Sequence, residues 1–246
     1  MNGEMYWLDV DGDRTGLEVI VNGVAAERLL HTHAIRFPIN EFLRAGPNRI
    51  EVRMGPWPSN AGPDEAGEIS IKLVCAKFDG PVQREQRTMA EQKGTFQAAQ
   101  AGAVLLAADF AADRAGMAMP AFEPIGPAHQ HLIRDQLGRI AQAWRDGDAD
   151  VIATWMRPYL RDYARAYPLE RESVMEDRVR RMVAAFKGGR VDFADGATAF
   201  EPIPGMNLVD CTGPTGAAVQ VHRPATPPYN MWTVVGVRGD KVILFR

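Results

Sequence analysis

The stretch PAHQHLIRDQLGRIAQAWRDGDADVIATWMRPYLRDYARAYPLERESVMEDRVRRMVAAF, Pro127–Phe186, decides how the rest of the chain is read. Leu132, Ile133, Leu137, Ile140, Ala141 and Trp144 recur at the helical period. Arg134, Asp135, Arg139, Gln142 and Arg145 occupy the opposite side, which predicts an amphipathic helix. Asp146-Gly147-Asp148 breaks that helix, and Asp148 or Asp150 stands where it can cap a second one. The second helix places Ile152, Trp155, Tyr159 and Tyr163 on one face, and Pro158 predicts a kink or a split because it has no amide hydrogen to return. Ser173-Val-Met-Glu176 has the form of a capping box. Met175, Val179, Met182, Val183 and Phe186 then give a third helix its apolar stripe, ended at Gly188–Gly189.

Outward from this block the chain turns to β structure on both sides. Downstream, strands are expected at Val191–Ala194, Thr198–Pro202, Leu208–Thr212 and Ala217–His222, followed by a hairpin of Met231–Val237 with Lys241–Arg246. Helices first and antiparallel strands second make an α+β domain. Upstream, the cluster of Pro120, Pro124 and Pro127 with Gly116 and Gly126 marks a domain boundary. Before it, Leu17/Val19/Val21, Ile35/Phe37/Ile39, Ile50/Val52/Met54 and Ile69/Ile71/Leu73/Cys75 alternate with polar residues, as half-buried strands do. Ala103–Ala107 adds a fifth strand, and Asn22–Gly23 supplies the positive-φ pair of a tight hairpin. Gly80–Gln100 is polar and reads as a loop with either a strand or a short helix, and Asp11–Gly16 as a solvated hairpin turn.

Two resemblances refine this. VNG at 21–23 and IRFPINEFLRAGPNRIEVRM at 35–54, with Leu43, Gly46, Asn48, Ile50 and Val52 in the turn-and-strand pattern, resemble the galactose-binding-like β-sandwich accessory domains of glycoside hydrolases. That likeness implies a jelly-roll-like sandwich with either a sugar-binding or a structural role. RIAQAWRDGDADVIATWM at 139–156 resembles the opening of the cystatin-like α+β cone fold of the nuclear transport factor two and ketosteroid isomerase superfamily. Its members include isomerases, dehydratases and binding modules. The expected chain is therefore an all-β sandwich over residues 1–115, a linker at 116–127, and an α+β domain at 128–246 with three helices packed on a curved antiparallel sheet.

Bulk properties exclude several classes. The net charge is −3, with 12 basic and 17 acidic side chains in residues 1–125 against 16 and 14 in the remainder, so neither half carries a nucleic-acid footprint. Two cysteines, Cys75 and Cys211, without CxxC spacing argue for buried free thiols. The start of the chain lacks the basic-then-apolar pattern of an export signal, and Ala98–Ala112 is too short and polar to span a bilayer. These features lead to an expectation of a cytoplasmic protein with no membrane and no nucleic-acid partner. Walker, GxGxxG, GxSxG and HExxH motifs do not occur.

The remaining candidates are individual side chains. Asp192, Glu201 and His222 are the acid–base candidates of the second half. Trp57, Tyr159, Tyr163 and Trp232 could face a ligand, with Trp144 and Trp155 as further wall residues, although an aromatic stripe at helical spacing also serves as core. Arg161, Arg165, Arg178 and Arg181, with Arg180, could hold an acidic partner or be balanced by Glu170, Glu172, Glu176 and Asp177. Asp9, Asp11 and Asp13 fail the calcium-loop pattern, since the glycine and glutamate positions hold Arg14 and Ile20. His31/His33 and His129/His131 lack a third ligand, so no metal and no cofactor is expected. Arg238-Gly-Asp240 reads as turn chemistry, and the pentapeptide Ala-Phe-Glu-Pro-Ile at 121–125 and 199–203 has no sustained period. The leading expectation is a non-catalytic binding or protein-interaction protein whose partner is a protein, a small molecule or a sugar, with a homo-oligomer as an open alternative. The rivals are an isomerase or dehydratase using a C-terminal pocket, and a carbohydrate-binding accessory protein.

Overall fold

Alternation of apolar and polar residues governs the first half of the chain, and in the computed structural model it yields strands. The structure describes residues 2–12, 16–29, 34–55, 66–97, 102–113, 121–167, 170–214, 216–223, 228–231 and 233–245. Eight strands come first: β1 (Asn2–Gly12), β2 (Leu17–Val21), β3 (Val24–Leu29), β4 (Ile35–Pro38), β5 (Gly46–Met54), β6 (Ala66–Asp79), β7 (Val82–Gln97) and β8 (Val104–Ala112). They form two antiparallel sheets of order β4-β1-β6-β7 and β3-β2-β5-β8. Leu8 sits opposite Leu73, and Val10 opposite Ile71, in the first sheet. Val19 sits opposite Val52, and Val21 opposite Ile50, in the second. All eight are buried. Ring contact between Tyr6 and Phe110, with centroids 6.2 Å apart, joins the two sheets. They also close tightly at Gly94, where an added Cβ would lie 2.9 Å from Leu106 Cδ2.

The Asn22–Gly23 turn adopts the expected positive φ at both residues, 52° and 88°. The Leu-x-x-Gly-x-Asn turn is held by the Asn48 side chain, which is 3% exposed. Asn48 Oδ1 accepts from Arg44 N at 2.8 Å and from Asn22 Nδ2 at 2.7 Å. Its Nδ2 donates to Arg44 O at 2.9 Å and Gly46 O at 2.8 Å. One buried amide thus satisfies the backbone of a whole turn that would otherwise be desolvated without partners. Three readings need correction. Strands β1 and β2 do not form the expected hairpin, because β1 pairs with β4 and β6 while β2 pairs with β3 and β5; Asp13, Arg14 and Thr15 between them lie outside the described residues. The polar stretch after Gly80 is one 16-residue strand, β7, whose lack of apolar alternation reflects wet faces along most of its length. Asn2–Gly12, part of the stretch read for an export signal and a calcium loop, is a strand that inserts Tyr6, Leu8 and Val10.

The chain divides into two compact units, Met1–Ala118 with Arg165–Leu169, and Met119–Ala164 with Glu170–Arg246. Within the first, Tyr167 is 1% exposed and its hydroxyl donates to the Glu41 carboxylate. Asn40 bonds the same segment at Ala166 O (3.1 Å) and also bonds β1, accepting from Tyr6 N (2.7 Å) and donating to Glu4 O (2.8 Å).

The second unit holds α1 (Pro127–Asp146), α2 (Ala149–Ala166, counted here to Ala164) and α3 (Glu172–Phe186). Its strands are β9 (Arg190–Phe193), β10 (Ala199–Pro202), β11 (Val209–Thr212), β12 (Val219–His222), β13 (Tyr229–Met231), β14 (Thr233–Arg238) and β15 (Lys241–Leu244). Asp148 Oδ1 accepts from Val151 N at 3.0 Å, the cap expected for α2. Pro158 does not split α2, which runs unbroken through it. The capping box at Ser173 is absent, since α3 starts at Glu172 behind Arg171, and Glu176 instead binds Arg157 Nε at 2.7 Å. In place of one curved sheet there are two antiparallel ones, β13-β12-β9 and β10-β11-β14-β15. The expected strand Met231–Val237 is divided between them. Thr233, fully buried, turns its hydroxyl back to Met231 O at 3.0 Å, a local bond that competes with continued pairing.

The helices and both sheets share one core, with Ile133, Leu137, Ile140, Trp144, Ile152 and Val183 from the helices against Val219, Val221, Val235 and Val237. The two Ala-Phe-Glu-Pro-Ile copies serve different purposes. The first puts Phe122 over Gly236, where a Cβ would come within 2.3 Å of the ring. The second is the edge strand β10, whose Phe200 lies under Arg134 at 5.2 Å. No described helix is long and apolar enough to cross a membrane.

Replacing Asn48 by alanine strands two carbonyls and two N–H groups at once. A loss of about 2–4 kcal/mol in the urea transition of the intact chain is expected. An unchanged transition would show that water replaces the amide without cost.

Candidate functional site

The second unit carries a groove of about 730 Å³ between α1, α2 and the β14–β15 hairpin. Helical periodicity builds two of its walls: Leu132, Gln136 and Arg139 fall on one side of α1, and Val151, Thr154, Trp155 and Pro158 on one side of α2. Asp240 and Lys241 at the hairpin, with Val242 and Ile243, close the third. Trp155 is 8% exposed, and its indole Nε1 is buried without a hydrogen-bond acceptor. Thr154 O has lost its ordinary donor four residues on, because that residue is Pro158. Val151 leaves 43% of its surface exposed here. Asp150 is bonded to Arg180. Among the described residues Arg139, Lys241 and Asp240 have neither an ion pair nor a hydrogen bond from their side chains.

The acid–base candidates lie elsewhere. His222 and Arg190 are opposed in register across β12 and β9, with Asp192 two residues along on the same face. Asp192 Oδ2 is 3.0 Å from His222 Nε2 and accepts from Arg190 Nη2 at 2.8 Å. The Asp192 side chain is 47% exposed and that of His222 28%, so the three form a row of polar groups at the sheet surface. Glu201 is exposed on β10 of the other sheet. None of the three lines the groove.

Of the ligand-facing aromatics, Tyr159 and Tyr163 stack on each other along α2, ring centroids 5.8 Å apart, and Tyr159 also packs on the core. Trp144 is 1% exposed and wedged against Phe186 and Tyr229, so it is core. Trp57 and Trp232 lie outside the described residues, as do His31, His33 and Asp13. His129 Nδ1 accepts from Gly126 N at 3.2 Å and so caps α1, while His131 sits 3.7 Å from Asp135.

The arginines are mostly balanced within their own unit. Arg178 binds Glu170 at 3.1 Å, and Arg161 lies 4.0 Å from Asp162. Arg165 clusters with the first unit, whereas Arg161, Arg178 and Arg181 belong to the second. A hollow of about 480 Å³ on the first sheet is lined by Asp11, Glu68, Ser70, Lys93 and Thr95 beside glycines and Ile69, with no aromatic ring among the described residues that line it.

Sequence reasoning assigned Trp155 to a pocket wall but passed over Arg139 and Lys241. Arg139 stood on a helix's polar side and Lys241 beside an ordinary turn, and nothing local joins them. It also passed over a polar row in the first unit, in which Tyr6 and Cys75 are buried and Arg87 is exposed. Tyr6, Cys75 and Arg87 face each other in register across β1, β6 and β7, and Tyr6 donates to Glu4 Oε2 at 3.0 Å. Burial first, then the neighbouring Cys75 and Glu4, raises the Tyr6 hydroxyl above its usual range. Burial and the Glu4 charge likewise push the Cys75 thiol up, so it is an inert core thiol rather than a nucleophile. Comparison with protein-family models, curated proteins and solved structures finds no match to this chain.

Both Tyr6 and Cys75 hold their protons more tightly folded than unfolded. Above their ordinary pKa values, about 10 and 8.5, the unfolded chain releases protons first and stability falls with pH. Denaturation midpoints measured from about pH 8 to 11 should fall, and Tyr6→Phe with Cys75→Ala should flatten that fall. Parallel slopes in variant and parent would remove this row as its source.

Proposed function

We propose that this chain is a non-catalytic binding protein whose recognition site is the groove of the second unit. The observation that carries the reading is the groove itself, which combines exposed apolar surface with three charged side chains that have no partners among the described residues. Recognition sites have this make-up: mostly apolar walls and a few convergent polar groups. The acid–base candidates support the same reading by their placement. Asp192 is committed to Arg190 and His222 at the surface, and Glu201 stands on a separate sheet away from the groove.

The finer fold reading belongs to this proposal. A galactose-binding-like β-sandwich followed by a cystatin-like cone is supported by two facing four-stranded sheets and by helices packed on antiparallel strands. Under it the first unit serves as a structural platform, and the protein works in the cytoplasm on a soluble partner.

A fragment library of organic acids, sugars and short peptides, read by thermal shift and then by mass spectrometry of the recovered ligands, tests this. The expected result is saturable binding with every ligand recovered unchanged. Conversion of a ligand to product, lost on His222→Ala or Asp192→Asn, would overturn the binding reading in favour of an enzyme.

A further inference from the structure

The geometry points to a ligand class for this groove: an organic monoanion with an apolar body, of the kind represented by a medium-chain carboxylate. The inference rests on the binding reading above and adds the chemistry of what is bound.

Charge comes first. Of the four charged groups lining the groove, Asp150 is already neutralised by Arg180. Arg139, Lys241 and Asp240 remain without partners, an excess of one positive charge. A single negative charge completes the balance, a dianion would exceed it, and a cation would meet the excess unfavourably. Donors come next. Arg139 from α1 and Lys241 from β15 bring two charged donors from two elements to one cavity. Charge-assisted bonds from a guanidinium and an ammonium strengthen the grip on a carboxylate. The remaining walls, Leu132, Val151, Pro158 and Val242, call for an apolar body. A volume of about 730 Å³ lies within the usual range of small-molecule sites.

The test titrates the intact chain with decanoate, decanol and decyltrimethylammonium below their micellar concentrations, by calorimetry and by the ¹⁵N–¹H indole resonance of Trp155, assigned with Trp155→Phe. Decanoate is expected to bind saturably and move that resonance, with decanol weaker by about tenfold and the cation silent. Arg139→Gln with Lys241→Gln should weaken decanoate by about tenfold or more, whereas Asp240→Asn should tighten it about two- to threefold. These opposite signs cannot come from a general loss of fold, and all three positions are exposed. Thr154→Trp fills the groove from an exposed position on α2 and should abolish the response. Equal binding of decanol and decanoate, or unchanged binding to the Thr154→Trp protein, would overturn the proposal. Silence of decanoate alongside a bound library ligand of another class would overturn the ligand class alone, leaving the binding reading intact.

Discussion

The second unit is built around the burial of one indole. Trp144, at the end of α1, meets the Phe186 ring edge-on at 6.2 Å and the Tyr229 ring at 5.6 Å. It thereby ties the last turn of one helix to the last residue of another and to the edge strand β13. A side chain of that size fixes the spacing of everything around it, because an interior packed to crystal-like density has few other ways to close. The consequence for function is negative space. With Trp144 spent on the core, the aromatic stripe of the helices leaves only its outer member, Trp155, at a cavity wall.

Polar groups in this protein do structural work where burial would make them costly. Asn48 closes a turn with four hydrogen bonds, and Asn40 gathers β1 and the segment after α2 with three. Both cases follow one rule: a primary amide offers donor and acceptor together, so it can replace the backbone partners that an irregular segment lacks. The exposed ion pairs are of another kind. Pairs such as Arg36–Asp9 and Arg157–Glu176 sit in water and contribute little to stability. The groove departs from that habit, since three of its four charged residues, Arg139, Asp240 and Lys241, have no partner among the described residues.

Much of this was legible in the sequence wherever a pattern is local. Strands β2, β5 and β6 followed from period-two alternation, the three helices from their apolar stripes, and the turns from Asn22–Gly23 and Gly46–Asn48. Where the pattern depends on a neighbour, the reading ran out. The acidic residues of β1 drew attention to calcium chemistry, although Asp9 and Asp11 merely occupy the outward positions on either side of the buried Val10. Met231 and Val237 look continuous until Thr233 turns its hydroxyl backwards. Ser173 and Glu176 have capping-box spacing, but Arg157 on another helix outbids the backbone for Glu176. The candidate site was least legible of all. Arg139 and Lys241 come together only through the packing of α1 against β15, and no spacing along the chain encodes that.

Strand β7 leads to a last point. From Val82 to Thr88 every residue is exposed, and its pairing with β6 is interrupted by shifts at Leu73/Val74 and Lys77/Phe78. A segment with no buried side has no wrong side, so displacing Val82–Thr88 by one residue exposes nothing that was hidden. Its half of the hairpin is therefore the place where this chain can change length over evolutionary time. An inserted residue becomes one more irregularity in a ladder that already has two, while the same insertion in β6 would turn Ile69, Ile71 and Leu73 out into water.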